Sequence, residues 1–308
     1  MTPHAGVIGH TRGVTKPPRL IRSAVVDLPV VEASGLAARS VDGVLRVLVV
    51  GDRAAEVAVG AYVDGGFSEW SMVDVGAVGG RSLFDGDSQL EAIAVDGGSL
   101  VAMMSEEPPV VFVADTQARQ LRATITLTAP AGSPLHGEWD DSSSRGEGLV
   151  LLRGGRLLVA KEKRPRALVE FGPVGSAGRG LSRDDFLAPD EPWEAPHGAV
   201  DYVSTAMWRL RGDAKRALGD ISALGVGRDR SLWLLSDKSR CLARLPLDEP
   251  LAPSSDEIRE LAEVWRLPKG TDKPEGVVGL DDDRLLVAMD TSSTTGNGII
   301  LELPDLID

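Results

Sequence analysis

The chain has 308 residues, a formal net charge of −13 and 43% hydrophobic residues, with aromatics at only 4%. This balance supplies a core of Val, Leu, Ile and Ala, and it argues against a nucleic-acid partner, which needs a clustered basic face. The single cysteine, Cys241, excludes an intrachain disulfide.

In chain order, residues 1–19 read as an N-terminal tail and 20–308 as one domain. A first strand is expected over 22–29. Five copies of one pattern then follow, each an oxygen-bearing residue, a small residue and a branched apolar residue. They are Ser34-Gly35-Leu36, Glu91-Ala92-Ile93, Glu147-Gly148-Leu149, Ser222-Ala223-Leu224 and Glu275-Gly276-Val277. Each copy opens a strand that passes through a Gly- or Asp-containing turn into a second strand, the signature of a β-hairpin. The second strand ends at an acid. It lies 15 residues beyond the key residue in four copies (Glu106, Glu162, Asp237, Asp290) and 18 beyond it in the first (Asp52).

Third strands are expected over 110–114, 167–171, 242–245 and 298–303. Fourth strands are expected over 68–75, 122–127, 206–211 and 262–267. The last unit reaches the C-terminus without a fourth strand, and the strand at 22–29 can supply one. Four-stranded units at a period of ~55, closed by the chain's own terminus, predict an all-β, five-bladed β-propeller. Closure removes open sheet edges, so a monomer is expected. A six-bladed ring is the alternative; it would need a blade within 172–200, which reads instead as an inserted loop on the face opposite the key residues. A single helical turn or two is conceivable at 256–261 and nowhere else.

Ser34, Glu91, Glu147, Ser222 and Glu275 are thereby expected around one mouth of the central channel. Three converging carboxylates repel one another, and a hard divalent cation relieves that repulsion. Calcium, with six to eight oxygen ligands at roughly 2.3–2.6 Å, suits three glutamates, two hydroxyls and water; magnesium and zinc suit them less. Glu32 and Asp220, two residues before the serines, read as acceptors that orient hydroxyls or waters. The competing reading is that repeated polar residues only satisfy backbone donors where units meet. Around this mouth Arg53, Lys161, Lys163 and Lys238 are candidates to contact a small anionic substrate, with Asp52 or Glu162 as general base. The bland reading is a solvated rim of ion pairs. The loop 129–146 could gate the mouth.

The strings Glu32-Ala33-Ser34-Gly35-Leu36, Leu158-Val159-Ala160-Lys161-Glu162-Lys163-Arg164-Pro165 and Lys273-Pro274-Glu275-Gly276-Val277 resemble the SdiA-regulated and esterase-like phytase group of β-propellers. The order Ser, Glu, Glu, Ser, Glu is also similar to the central calcium ligands of the five-bladed calcium-activated nucleotidases (apyrases). In that family an Asp-Arg pair follows the second strand of the first blade, near the phosphate site, and Asp52-Arg53 stands at the matching place. The resemblance implies a calcium propeller acting on a phosphoester, with a non-catalytic ligand- or protein-binding propeller as the alternative. No apolar run of membrane-spanning length is present and no leader is visible, so a cytoplasmic location is expected, with a mature secreted form as the alternative.

Overall fold

The computed structural model describes residues 16–53, 55–78, 81–84, 89–117, 119–139, 145–255, 257–281 and 283–304. Residues 1–15 of the expected tail and 140–144 of the expected gating loop lie outside the described residues. The protein is all-β and propeller-like. Strand β1 (Ile21–Val26) is followed by β2 (Ala33–Val41), β3 (Val44–Gly51), β4 (Glu56–Val63), β5 (Gly66–Phe67) and β6 (Ser71–Asp74), then by a small hairpin, β7 (Ala77–Val78) and β8 (Arg81–Ser82). Next come β9 (Leu90–Val95), β10 (Leu100–Ser105), β11 (Val110–Asp115) and β12 (Leu121–Thr128), then β13 (Gly148–Leu152), β14 (Arg156–Lys161), β15 (Ala167–Pro173) and β16 (Gly198–Leu210). A short helix, α1 (Gly212–Ala217), leads into β17 (Ala223–Val226), β18 (Leu232–Ser236), β19 (Cys241–Leu245), β20 (Glu257–Ile258) and β21 (Glu263–Arg266). The chain finishes with β22 (Pro274–Gly279), β23 (Arg284–Met289) and β24 (Gly298–Glu302).

The strands pair as antiparallel meanders: β2-β3-β4 with β6 beside β4, β9 to β12, β13 to β16, β17-β18-β19-β21, and β22-β23-β24 completed by β1. The first strands of these runs, β2, β9, β13, β17 and β22, neighbour one another in sequence order, and β22 returns to β2. Between each consecutive pair of runs lies one apolar layer. The layer around Ile93 and Phe112 joins the first two runs, and that around Leu149 and Phe171 the next two. Leu224 and Trp208, then Val277 and Trp265, then Leu36 and Leu286 mark the remaining three. Aliphatic side chains fill thin layers between sheets, which is why so few aromatics suffice. Each fully buried Val or Leu contributes about 1.5–3 kcal/mol.

The N-terminal strand is held at both ends. Arg266 donates its backbone N–H to Pro18 at 2.7 Å, and Leu20 donates to Arg266 at 2.9 Å. At the other end the buried Asn297 side chain accepts from Leu28 N–H at 2.8 Å and donates to the carbonyls of Leu28 (3.1 Å) and Val30 (2.8 Å). One side-chain amide thus satisfies three backbone groups where the chain leaves β1.

The inserted stretch is irregular, as its composition suggested, and two other local features depart from the sequence reading. Residues 174–197 hold no strand, only a short 3-10 turn at Arg183–Asp185 and the isolated bridges Leu152↔Phe186 and Leu181↔Leu251. The segment is pinned by Trp193, whose indole donates to Leu152 O at 3.1 Å, and by the wholly buried Glu170, which accepts from Arg179 and Gly180 N–H and pairs with Arg156 at 3.3 Å. Strand β16 begins eight residues earlier than its β periodicity suggested, because its first half pairs in parallel with β12 of the preceding run. The helical turn sits at 212–217 rather than 256–261, where β20 pairs with β16 instead. Among the described residues no helix is long and apolar enough to cross a membrane.

Candidate functional site

Each key residue is placed by a backbone irregularity. In β2, Ala33 pairs with Gly51 and Gly35 with Val50, leaving Ser34 as the extra residue of a β-bulge. Glu91 is skipped in the same way between Leu90 and Ala92, and Glu275 between Pro274 and Gly276. Glu147 and Ser222 stand immediately before their strands and donate their N–H groups to Ala160 and Leu235, the same residues that pair with Gly148 and Ala223. A bulge re-aims a side chain that would otherwise alternate across the sheet. Two residues earlier the backbone is left-handed at Glu32 (φ 50°), Gln89 (φ 47°) and Lys273 (φ 44°). The carbonyls at these positions accept from Asp52, Glu106 and Asp290, while Gln89 N–H donates back to Asp52 O. The same turn therefore fixes the key residue and the hairpin-end acid together.

Where the small residue after the key residue is glycine, the next run requires it. A Cβ on Gly35 would stand 3.0 Å from Ala92 Cα and Ile93 N; one on Gly148 would stand 2.7 Å from Leu224 N; one on Gly276 would stand 2.9 Å from Leu36 Cγ. The inner strands reach this closeness only without a side chain there.

Ser34, Glu91, Glu147 and Glu275 line one axial cavity of about 10 Å³, close to the room one water needs. Ser222 lies beside it, with Ala223 and Leu224 on its wall. The serine hydroxyls donate to backbone carbonyls, Ser34 to Leu90 O and Ser222 to Pro274 O (2.7 Å), and Ser222 Oγ also accepts from Asp237 N–H at 3.1 Å, so the Ser34 oxygen has the more lone-pair capacity left. Glu32 and Asp220 do not orient these serines. Glu32 pairs with Arg53 at 2.5 Å, and Asp220 accepts from Ser236 Oγ and from Lys238 N–H at 3.1 Å, while the serine hydroxyls bond to Leu90 O, Pro274 O and Asp237 N–H instead.

The electrostatics are those of crowded, half-buried acids. Burial first, then Glu106, Asp52 and Asp290, push Glu91 up to about 8. Burial, Asp290 and Glu91 push Glu275 up to about 8. Glu147 is raised well above the usual carboxylate range by burial and by Glu91 and Glu162. Glu106 rises to about 7 through burial, although Arg145 N–H donates to its Oε1 at 2.9 Å. Asp52 rises to about 6 through burial and a hydrogen bond with Glu32. The five hairpin-end acids thus form a second acidic tier around the ring, of which Asp237 is also raised, by burial and Asp220.

The candidate cations are placed unequally. Arg53 is exposed but paired with Glu32, and Lys163 pairs with Glu162 at 2.7 Å. Lys161 is wholly buried at the end of β14, and Lys238 is exposed. The described part of the 129–146 loop is anchored: Trp139 is buried and donates to Leu127 O at 3.2 Å, and Glu138 pairs with Arg209 at 3.0 Å. Among the described residues no three His, Cys, Asp or Glu side chains stand together in metal-ligating geometry. The three glutamates share a cavity and one another's field, and the oxygen-only donor set and the cavity's size fit a hard cation.

No protein-family model matches the chain, and comparison with curated proteins gives no match. Among solved structures, glutaminyl cyclase from Myxococcus xanthus is similar at 10% identity, over 94% of this chain and 100% of that one, with a TM-score of 0.49. A gluconolactonase from Xanthomonas campestris is similar at 14% identity over 94% and 96%, with a TM-score of 0.47. The PQQ-bound aldose sugar dehydrogenase from Streptomyces coelicolor is similar at 15% identity over 93% and 99%, with a TM-score of 0.46. Likeness at this level carries no activity across.

Proposed function

We propose that the chain is a five-bladed β-propeller, one domain over 20–308, that binds calcium on its axis and hydrolyses a phosphoester or related ester at the acidic mouth. The observation that carries this reading is the sharing of one water-sized cavity by Glu91, Glu147, Glu275 and Ser34, whose carboxylates oppose one another's ionisation. Ser222 and water would complete the oxygen set. Bound calcium would polarise a phosphoryl or carbonyl oxygen.

The chain's own groups supply the remainder. Asp52, held near 6, suits a general base at neutral pH; Glu162 is the second candidate, already engaged by Lys163. Arg53, Lys163 and Lys238 would meet a small anionic substrate from the rim, and Lys161 from inside. The protein would act as a monomer in the cytoplasm. The pairing of Arg53 and Lys163 favours a second reading, a ligand-binding propeller with a structural calcium, because paired cations have less to offer an anion.

Elemental analysis of the purified protein and calcium titration followed by thermal unfolding test the cation. Glu147→Gln should abolish the calcium-dependent rise in Tm, while the exposed Glu194→Gln should not; equal effects would sink the assignment. Turnover of bis-p-nitrophenyl phosphate with calcium, lost in Asp52→Asn with calcium binding retained, selects the hydrolase. Retained calcium binding without turnover selects the second reading.

A further inference from the structure

The axis holds a second, much larger cavity. Beyond the acidic ring, the branched residues Leu36, Ile93, Leu149, Leu224 and Val277 border both cavities and form an apolar partition. On its far side the inner strands wall a space of about 430 Å³, within the range of small-molecule sites. Its walls are apolar, with Ala94, Val150 and Val278 among them, and Phe186 and Leu187 of the 174–197 segment narrow its mouth. Phe186 is held by its bridge to Leu152, so the narrowing is a built part of the site.

The charged lining residues are three arginines, Arg39, Arg228 and Arg230, and one aspartate, Asp96, and Ser40 adds a hydroxyl. Asp96 is buried and already accepts three backbone N–H groups, from Gly98 (3.0 Å), Leu100 (2.8 Å) and Trp193 (3.0 Å). Arg39 donates to Gly98 O and to Thr116 Oγ1 at 3.2 Å, and Arg230 lies 3.6 Å from the exposed Asp184. Arg228 is exposed and has no hydrogen-bond or ion-pair partner among the described residues. A mouth with a formal surplus of positive charge on a chain of net −13 selects for an anion, and the apolar depth behind it selects for a hydrocarbon body.

We propose that this wide end of the axial cavity binds an amphipathic anion, its apolar body between the inner strands and its charged head at Arg228. A medium-chain carboxylate has this chemistry. The site is separate from the calcium site and does not depend on it.

Calorimetric titration of the full chain with decanoate, decanol and decyltrimethylammonium tests the assignment. Decanoate should bind saturably at one site, decanol more weakly, and the cationic amphiphile not at all. Arg228→Glu, on an exposed turn that tolerates it, should weaken decanoate by about fivefold or more and leave decanol unchanged. Ala38→Phe, which fills the cavity from β2, should weaken both. Chelation of calcium should leave decanoate binding as it was, so that failure of the calcium reading does not touch this one. Absent saturation with decanoate, equal binding of the cationic amphiphile, or indifference to Arg228→Glu would overturn the proposal.

Discussion

Glu275 offers the sharpest test of the acidic ring, because removing its charge should act in opposite directions with and without calcium. Its carboxyl is held at about 8 by burial, Asp290 and Glu91, against an ordinary value of 4.5. A folded-state pKa above the unfolded one means that folding favours the protonated form. In chelator, its contribution to stability is therefore full below about pH 4.5 and is lost as pH rises toward 8. The interval of about 3.5 units, at ~1.4 kcal/mol each, sets a ceiling of about 5 kcal/mol. The residue retains some exposure, and we expect about 2–3 kcal/mol after screening. Glu275→Gln removes the ionisation while keeping the shape. In chelator near pH 8 the variant should unfold at a higher temperature than the parent, and near pH 5 the two should coincide. In millimolar calcium the order should reverse, because the variant lacks a ligand. Circular dichroism melts across pH 5–9, with and without calcium, read all four conditions. A parent protein that gains stability with rising pH in chelator, or a variant destabilised equally in both media, would refute the argument.

Two further predictions concern the frame. Asn297→Ala leaves Leu28 N–H and two carbonyls without their buried partner and should cost about 3 kcal/mol, seen as a lowered urea midpoint together with faster hydrogen exchange over 21–30. Gly148→Val places a branched side chain against Leu224 N, which is backbone and cannot turn aside; a loss of at least about 2 kcal/mol in urea unfolding is expected, and an unchanged midpoint would mean that the inner strands do not need this closeness.

The repeat was legible because its parts are local. A key residue, a small neighbour and an acid at a fixed spacing all lie within one hairpin, so their register can be counted along the chain. The glycines among the small neighbours stand where the inner strands approach closely, since a Cβ on Gly35, Gly148 or Gly276 would crowd Ala92, Leu224 or Leu36. The roles of Glu32 and Asp220 were not legible. Sequence proximity to Ser34 and Ser222 suggested a shared task, but the left-handed turn at Glu32 and the hairpin end at Ser236 carry these acids toward Arg53 and Ser236 instead.

The wide cavity was hidden for a different reason. Its wall takes a few residues from each of five strands far apart in the chain, and its charged rim consists of single arginines, Arg39 within β2 and Arg228 and Arg230 at the turn after β17. None of these residues has a neighbour in sequence that marks it. The partition explains why the two ends can differ so sharply in character. The same triplet that aims an oxygen toward the acidic end supplies, two residues later, the apolar side chain that closes that end off. A low-dielectric layer on one side of the glutamates raises the cost of leaving them charged and unpaired, which is the condition that makes a cation their most effective partner.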